Sequence, residues 1–194
     1  MDLAAGVAAA LAAAGDAFGS APAAVPEPRW GALLTELDPA ADEDYAACIE
    51  LVYEGYLLHY RESRAVALPA EDLESRLLAG DVFYARGVRG VAARGDAEAV
   101  GLLARLMAAC SYLRAAGSSF AADDALWAYT MAGLAALHSG ADPASVSALF
   151  DDVEAGFHAA PPGDVPAAVA GAAARLTLTD AAPLRRELQA VAGG

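Results

Sequence analysis

The sequence predicts an all-α protein, an antiparallel multi-helix bundle, and three observations carry that expectation. Alanine, leucine and arginine, all good helix formers, are abundant along the 194 residues. β-branched residues are sparse and never alternate over the length of a strand. Cap and stop signals cut the chain into helical stretches, the long ones of roughly 16–24 residues, with short connections that favour antiparallel neighbours.

The elements follow in order. Residues 3–18 predict a short alanine-rich helix, and APAAVPEP (21–28) a proline-punctuated linker. A turn of helix around 30–37 leads into DPAADED (38–44), whose acids suit a helix N-terminus. The first long helix is expected over 42–62, with Tyr45, Ile49, Val52, Tyr56 and His59 on one stripe at spacings of three and four. A loop at 63–68 precedes a second helix, opened by Pro69 and Glu71-Asp72 and running to Arg94. Gly95-Asp96 is a stop and a cap, and a third helix spans 97–116, closed by Gly117. Ser118-Ser119 cap a fourth over 120–138, closed by Gly140, and Asp142-Pro143 cap a fifth over 144–159. Pro161, Pro162 and Pro166 end it, and weaker helices follow at 167–175 and 182–192. No repeat of roughly 20–50 residues appears, which argues against a solenoid. At one domain per roughly 100–200 residues, the chain reads as an N-terminal helix and linker over 1–28 and one helical domain over 29–194.

Charge narrows the function. Acids outnumber bases 26 to 12, for a net charge of −14 and a pI near 4.4, which leaves no electrostatic footprint for nucleic acid or an anionic membrane. All 12 bases are arginine, so Schiff-base and P-loop lysine chemistry are excluded. Cys48 and Cys110 lie in apolar helical patterns and read as small core residues, not as a disulfide or metal pair. The first residues carry Asp2 instead of a positive n-region, and their apolar run falls short of the roughly 20 residues of a membrane span. A cytoplasmic location is therefore expected.

Polar groups concentrate near the end of the first long helix, where Glu54, His59, Arg61, Glu62 and Arg64 cluster. They form either a helix end whose cations meet the negative dipole terminus, or a cluster that faces an anion or a partner. Glu154 and His158, four apart, could share a helix face as metal ligands. A di-iron carboxylate bundle, however, needs Glu-x-x-His twice, and the sequence has none. An acidic solvated face is the expectation there. Asp123-Asp124 suits dipole compensation in a first turn. The aromatic residues, among them Tyr53, Tyr56, Tyr60, Tyr84, Tyr112, Trp127 and Tyr129, read as packing, not as a cofactor box. No nucleophile elbow, Walker motif, dinucleotide fingerprint or zincin motif occurs, and no cofactor is expected.

Three segments in order resemble the trans-polyprenyl diphosphate synthase family. LLAGDVFYARGVRGVAARGDAEAV (77–100) is similar to a helix pair of that family with a Gly-Asp-aromatic-x-aromatic-Ala-Arg pattern. ACIELVYEGYLLHYRESR (47–64) resembles the helix that carries its first aspartate-rich motif. AGLAALHSGADPASVSALFDDVEAGFH (132–158) resembles the pair ending in Gly-x-Ala-Phe-Gln. The likeness covers 42–160 and implies an isoprenoid-synthase-like fold, reduced at its C-terminus.

The departures from that pattern matter as much. Where the resemblance implies Asp-Asp-x-x-Asp holding magnesium, the chain has Tyr60, Arg61, Glu62, Ser63 and Arg64. His158 stands for the glutamine, and AAPPGDVP (159–166) replaces the second aspartate-rich motif. Magnesium is held by carboxylate and phosphate oxygens, which tyrosine and arginine do not supply. The resemblance thus implies a non-catalytic accessory or regulatory subunit of a prenyl diphosphate synthase. The alternative is a stand-alone protein with an apolar inter-helix cavity for an isoprenoid or other lipid. The partners implied are a catalytic synthase subunit or a second copy of the chain, with His59, Tyr60, Arg61, Arg64 and His158 as ligand- or partner-facing candidates. Arg61 and Arg64 reverse the local charge, so they either attract an anion directly or pair with Glu54, Glu62 or other surface acids.

Overall fold

The structure is a computed structural model that describes residues 3–18, 27–158 and 164–193. Linker residues 21–26 and the prolines at 161 and 162 lie outside the described residues. Every regular element among the described residues is helical: α1 (Leu3–Gly15, followed by a 3₁₀ turn, Asp16–Phe18), α2 (Trp30–Leu37), α3 (Glu43–Tyr60), α4 (Leu73–Ala92), α5 (Ala97–Ala115), α6 (Phe120–His138), α7 (Pro143–His158), α8 (Val165–Ala173) and α9 (Ala182–Gly193).

The boundaries follow from local chemistry. Gly95, Gly117 and Gly140 take φ of 78°, 68° and 89°, the left-handed backbone that a glycine after a helix supplies without a Cβ clash. After α5, Ser118 N–H reaches the Leu113 carbonyl at 3.0 Å and Gly117 N–H the Arg114 carbonyl at 3.2 Å, so the last carbonyls are satisfied. Asp42 and Asp72 cap α3 and α4 by accepting from the N–H groups of Tyr45 and Ser75. Ser119 sits at the N-cap of α6 without a side-chain capping bond.

The chain forms two compact units. The first comprises the described residues up to Thr35 with Ala40–Val100, and the second Glu36–Pro39 with the described residues from Gly101. In the first, α3 packs along α4 and against α1. A cluster of Val7, Leu11, Ala14, Leu51, Leu58, Val66 and Phe83 forms its core, so α1 is part of that core. Glycines let α3 and α4 approach closely. A Cβ on Gly87 would lie 2.6 Å from the Cys48 carbonyl oxygen and 2.9 Å from the Val52 nitrogen. In the second unit α6 packs against α7, α8 and α9. It is apolar nearly all round and buried accordingly, Trp127 and Tyr129 included.

Candidate functional site at the end of helix α3

The stripe expected on α3 is present: Tyr45, Ile49, Val52 and Tyr56 are buried. His59, the last of that stripe, is half-buried, and so is Cys48. The other residues from Tyr45 to Leu58 are buried, and they include two carboxylates, Glu50 and Glu54, both 0% exposed. They stand four residues apart, one above the other on the same face. Such groups are tolerated only when charge and lone pairs are met by partners.

Each glutamate serves a different chain segment. Arg29, at the start of α2, has no oxygen with which to cap that helix. Glu50 Oε1 accepts instead from the N–H groups of Arg29 and Gly31, both at 2.7 Å. A carboxylate there also meets the positive end of the α2 dipole. Glu54 Oε1 accepts from the Ser63 hydroxyl at 2.6 Å and the N–H groups of Arg64 and Ala65 at 2.7 and 3.0 Å. It therefore organises the loop that follows α3. Ser63 Oγ completes that loop by accepting from Val66 N–H at 3.0 Å.

Arg64 ties the two glutamates together. Its Nε donates to Glu54 Oε2 at 3.0 Å, its Nη2 to Glu50 Oε2 at 2.9 Å, and its Nη1 to the Glu27 carbonyl at 3.0 Å. The guanidinium also lies over the Tyr53 ring, 4.7 Å from the centroid. Burial pulls the Arg64 pKa down, but the charges of Glu50 and Glu54 and their hydrogen bonds more than reverse this, leaving it above its ordinary value. The guanidinium is locked in its charged form.

The other sequence candidates lie around this clasp or away from it. His59 Nε2 is 3.3 Å from Asp81 Oδ1, and its ring rests between those of Tyr60 and Tyr84, against Gly80. Tyr60 packs on Tyr56 at 5.5 Å. Arg61 is the C-cap of α3; its guanidinium stands 5.6 Å from the Tyr56 ring, and its carbonyl accepts from Arg76 at 2.7 Å. His158 belongs to the second unit, exposed at the end of α7 with its ring edge on Tyr112 at 4.3 Å.

Of the two readings of the arginines, Arg64 follows the pairing one, with a change in kind. Its partners are buried acids, not surface acids. Glu50 was the residue that sequence reading missed. The available signal was a second glutamate one turn before Glu54 on an otherwise apolar helix.

The second unit uses arginine in the same way. Arg114 grips Asp123, which is 0% exposed, with Nε–Oδ2 at 2.8 Å and Nη2–Oδ1 at 3.0 Å. Asp123 thus does more than complement a helix dipole. Arg105 on α5 holds Glu154 at 2.9 Å and Asp151 at 2.7 Å, while His158 goes to Tyr112. Glu154 and His158 therefore have separate partners. Asp38, nearly buried, meets His138 Nδ1 at 2.7 Å. Cys48 is half-buried on α3 and Cys110 buried on α5, both as thiols.

Among the described residues no group of three or more His, Cys, Asp or Glu side chains is arranged to hold a metal ion. No helix among them is long and apolar enough to cross a membrane. Compared with protein-family models, curated proteins and solved structures, the chain has no match in any of the three.

Proposed function

We propose that the chain is a non-catalytic, prenyl-synthase-like helical protein that acts as an accessory or regulatory subunit of a prenyl diphosphate synthase. On this reading the helices form an antiparallel bundle of the isoprenoid-synthase kind, reduced at its C-terminus. The observation that supports it is the guanidinium of Arg64. In the resemblance drawn from the sequence, this position carries the last aspartate of a magnesium-binding motif. Here it carries a cation, held 2.9–3.0 Å from the two buried carboxylates of α3. Both glutamates are fully engaged with Arg64 and with main-chain donors. A divalent ion would have to displace that guanidinium to use them. Ionising an allylic diphosphate needs such ions at the leaving group. Binding is then the remaining role for the fold, and a synthase that does carry both aspartate motifs is the partner.

Native mass spectrometry of the chain co-expressed with such a synthase tests this. A heteromeric complex is expected, and the isolated chain should show no prenyl transfer with millimolar magnesium. Steady turnover by the purified chain overturns the reading. A copurified isoprenoid with no protein partner also overturns it, in favour of a lipid-binding protein.

A further inference from the structure

Helix α1, LAAGVAAALAAAG, carries no charged side chain, and its hold on the first unit is apolar. Val7, Leu11 and Ala14 are buried in a groove formed by α3, α4 and the loop between them, against Leu51, Leu58, Val66 and Phe83. The seat fits this helix in particular. A Cβ at Gly15 would lie 2.9 Å from Val66 Cγ1, so the bare backbone of the last turn rests on that side chain. Arg86 Nη1 donates to the Ala13 carbonyl at 2.6 Å, which satisfies one of the carbonyls that the end of a helix leaves unpaired.

None of these contacts uses residues 19–28, the stretch that joins α1 to the rest of the unit in sequence. An α1 from another copy therefore satisfies the same groove with the same atoms, the condition for trading an element between identical chains. We propose that α1 is an exchangeable arm: the groove it fills in its own chain also takes the α1 of a second copy, and the chain self-associates by trading arms. Charge favours this mode over a direct one. Copies meeting face to face would set a net charge of −14 against another, whereas an uncharged helix enters the groove without that cost. Reach permits it as well. A stretch as long as 19–28 would span up to about 35 Å when extended, against a radius of gyration of roughly 13 Å for a unit of about 100 residues. The inference goes beyond the accessory-subunit reading and does not depend on it.

The test uses the full chain. The double variant Gly15→Cys, Val66→Cys brings two Cβ atoms within the roughly 4.5 Å over which a disulfide closes, and oxidising it when dilute locks α1 in its own groove. Peptide mapping verifies that bond, because Cys48 and Cys110 are free thiols too. Light scattering in raised salt, which screens the repulsion between copies, is expected to show a dimer share in the parent that grows with concentration. The oxidised variant should show a share at least tenfold smaller, and reduction should restore it. Anisotropy of a labelled peptide copying residues 1–18 gives a second reading on the unsubstituted chain, which covers a double variant that fails to fold. That peptide should bind at least tenfold more tightly than its Leu11→Asp form. A parent that stays monomeric at every concentration overturns the inference. So does a locked chain that dimerises like the parent, and so do two peptides that bind equally or not at all.

Discussion

Arg64 in the first unit and Arg105 in the second each hold two carboxylates about one helical turn apart, Glu50 with Glu54 and Asp151 with Glu154. The bond lengths are the same within a few tenths of an ångström. The surroundings differ. Glu50 and Glu54 side chains are 0% exposed, against 68% for Asp151 and 32% for Glu154. Glu50 and Glu54 also accept from main-chain N–H groups of two further segments, so the start of α2 and the loop after α3 depend on the same four oxygens. Equal geometry thus carries unequal consequences. Water can replace Arg105 as a partner for its acids; nothing replaces Arg64.

Removing the guanidinium is the most direct way to break that comparison. Arg64→Leu leaves two buried carboxylates without their cation, and a loss of about 3–5 kcal/mol in urea unfolding is expected. If the loss is no greater than that of Arg105→Leu, the distinction fails. Replacing the charges together sharpens it. The combination Glu50→Gln, Glu54→Gln, Arg64→Met should recover much of the stability, because amides still accept from the main-chain donors and no buried charge remains.

Backbone approach gives the next effect. A methyl at Gly87 meets main-chain atoms of α3 at 2.6 and 2.9 Å, two residues on either side of Glu50, and these cannot step aside. A methyl at Gly133 meets side chains instead, the Phe150 ring at 2.9 Å and Leu102 at 3.2 Å. Gly87→Ala is expected to cost about 1–3 kcal/mol. Gly133→Ala should cost less, since the ring can shift and alanine restores up to about 1 kcal/mol of helix propensity. The reverse order in thermal melts would show that α3 and α4 are less tightly fixed than the clasp requires.

The same contrast explains what could be read in the sequence. Helix positions were legible because their signals are local: Gly95, Gly117 and Gly140 stop helices wherever they stand, and Asp42 and Asp142 cap the residues that follow. The polar cluster at 54–64 was legible as a cluster, and the pairing of Arg64 with Glu54 was one of its two readings. What was not legible is which acids are buried. Glu50 faces the start of α2, and Asp123 faces Arg114, only once the chain has folded. An i, i+4 acid pair on an apolar helix looks the same in sequence whether an arginine from a later loop covers it or water does. Tyr129 shows the same limit for neutral groups. Its hydroxyl is buried in the second unit without a protein partner, against a Phe150 ring 4.4 Å away, and burial pushes its pKa up.

At the exposed end of the comparison, Arg105→Leu should change stability by about 0–1 kcal/mol, and 1 M salt should erase most of the difference. The leucine still covers Phe150, whose ring the guanidinium now overlies at 5.4 Å. A loss above about 2 kcal/mol would mean that Asp151 and Glu154 are held as rigidly as the buried pair, beyond the range of a surface ion pair.

The smallest effect separates two helix caps, one in each unit. Asp42 before α3 has its pKa lowered first by the Arg94 hydrogen bonds, at 2.7 and 2.8 Å, and then by Tyr45 N–H. Asp142 before α7 has its pKa lowered by the Ser145 hydroxyl and N–H. A folded-state pKa below the ordinary 3.8 means stability that is present above that pH and lost as pH falls through the folded value. Asparagine caps nearly as well as aspartate but does not titrate. Asp42→Asn and Asp142→Asn should therefore each be less stable than the parent at pH 7 and converge with it well below pH 3.8. For the exposed Asp42 the gap at pH 7, discounted for solvent screening, is a few tenths of a kcal/mol. Salt then tells the two apart. At 1 M the Asp42 gap should shrink, because part of it is attraction to Arg94, whereas the Asp142 gap rests on hydrogen bonds and should persist. Convergence of neither variant with the parent in acid would mean that both caps act through shape alone.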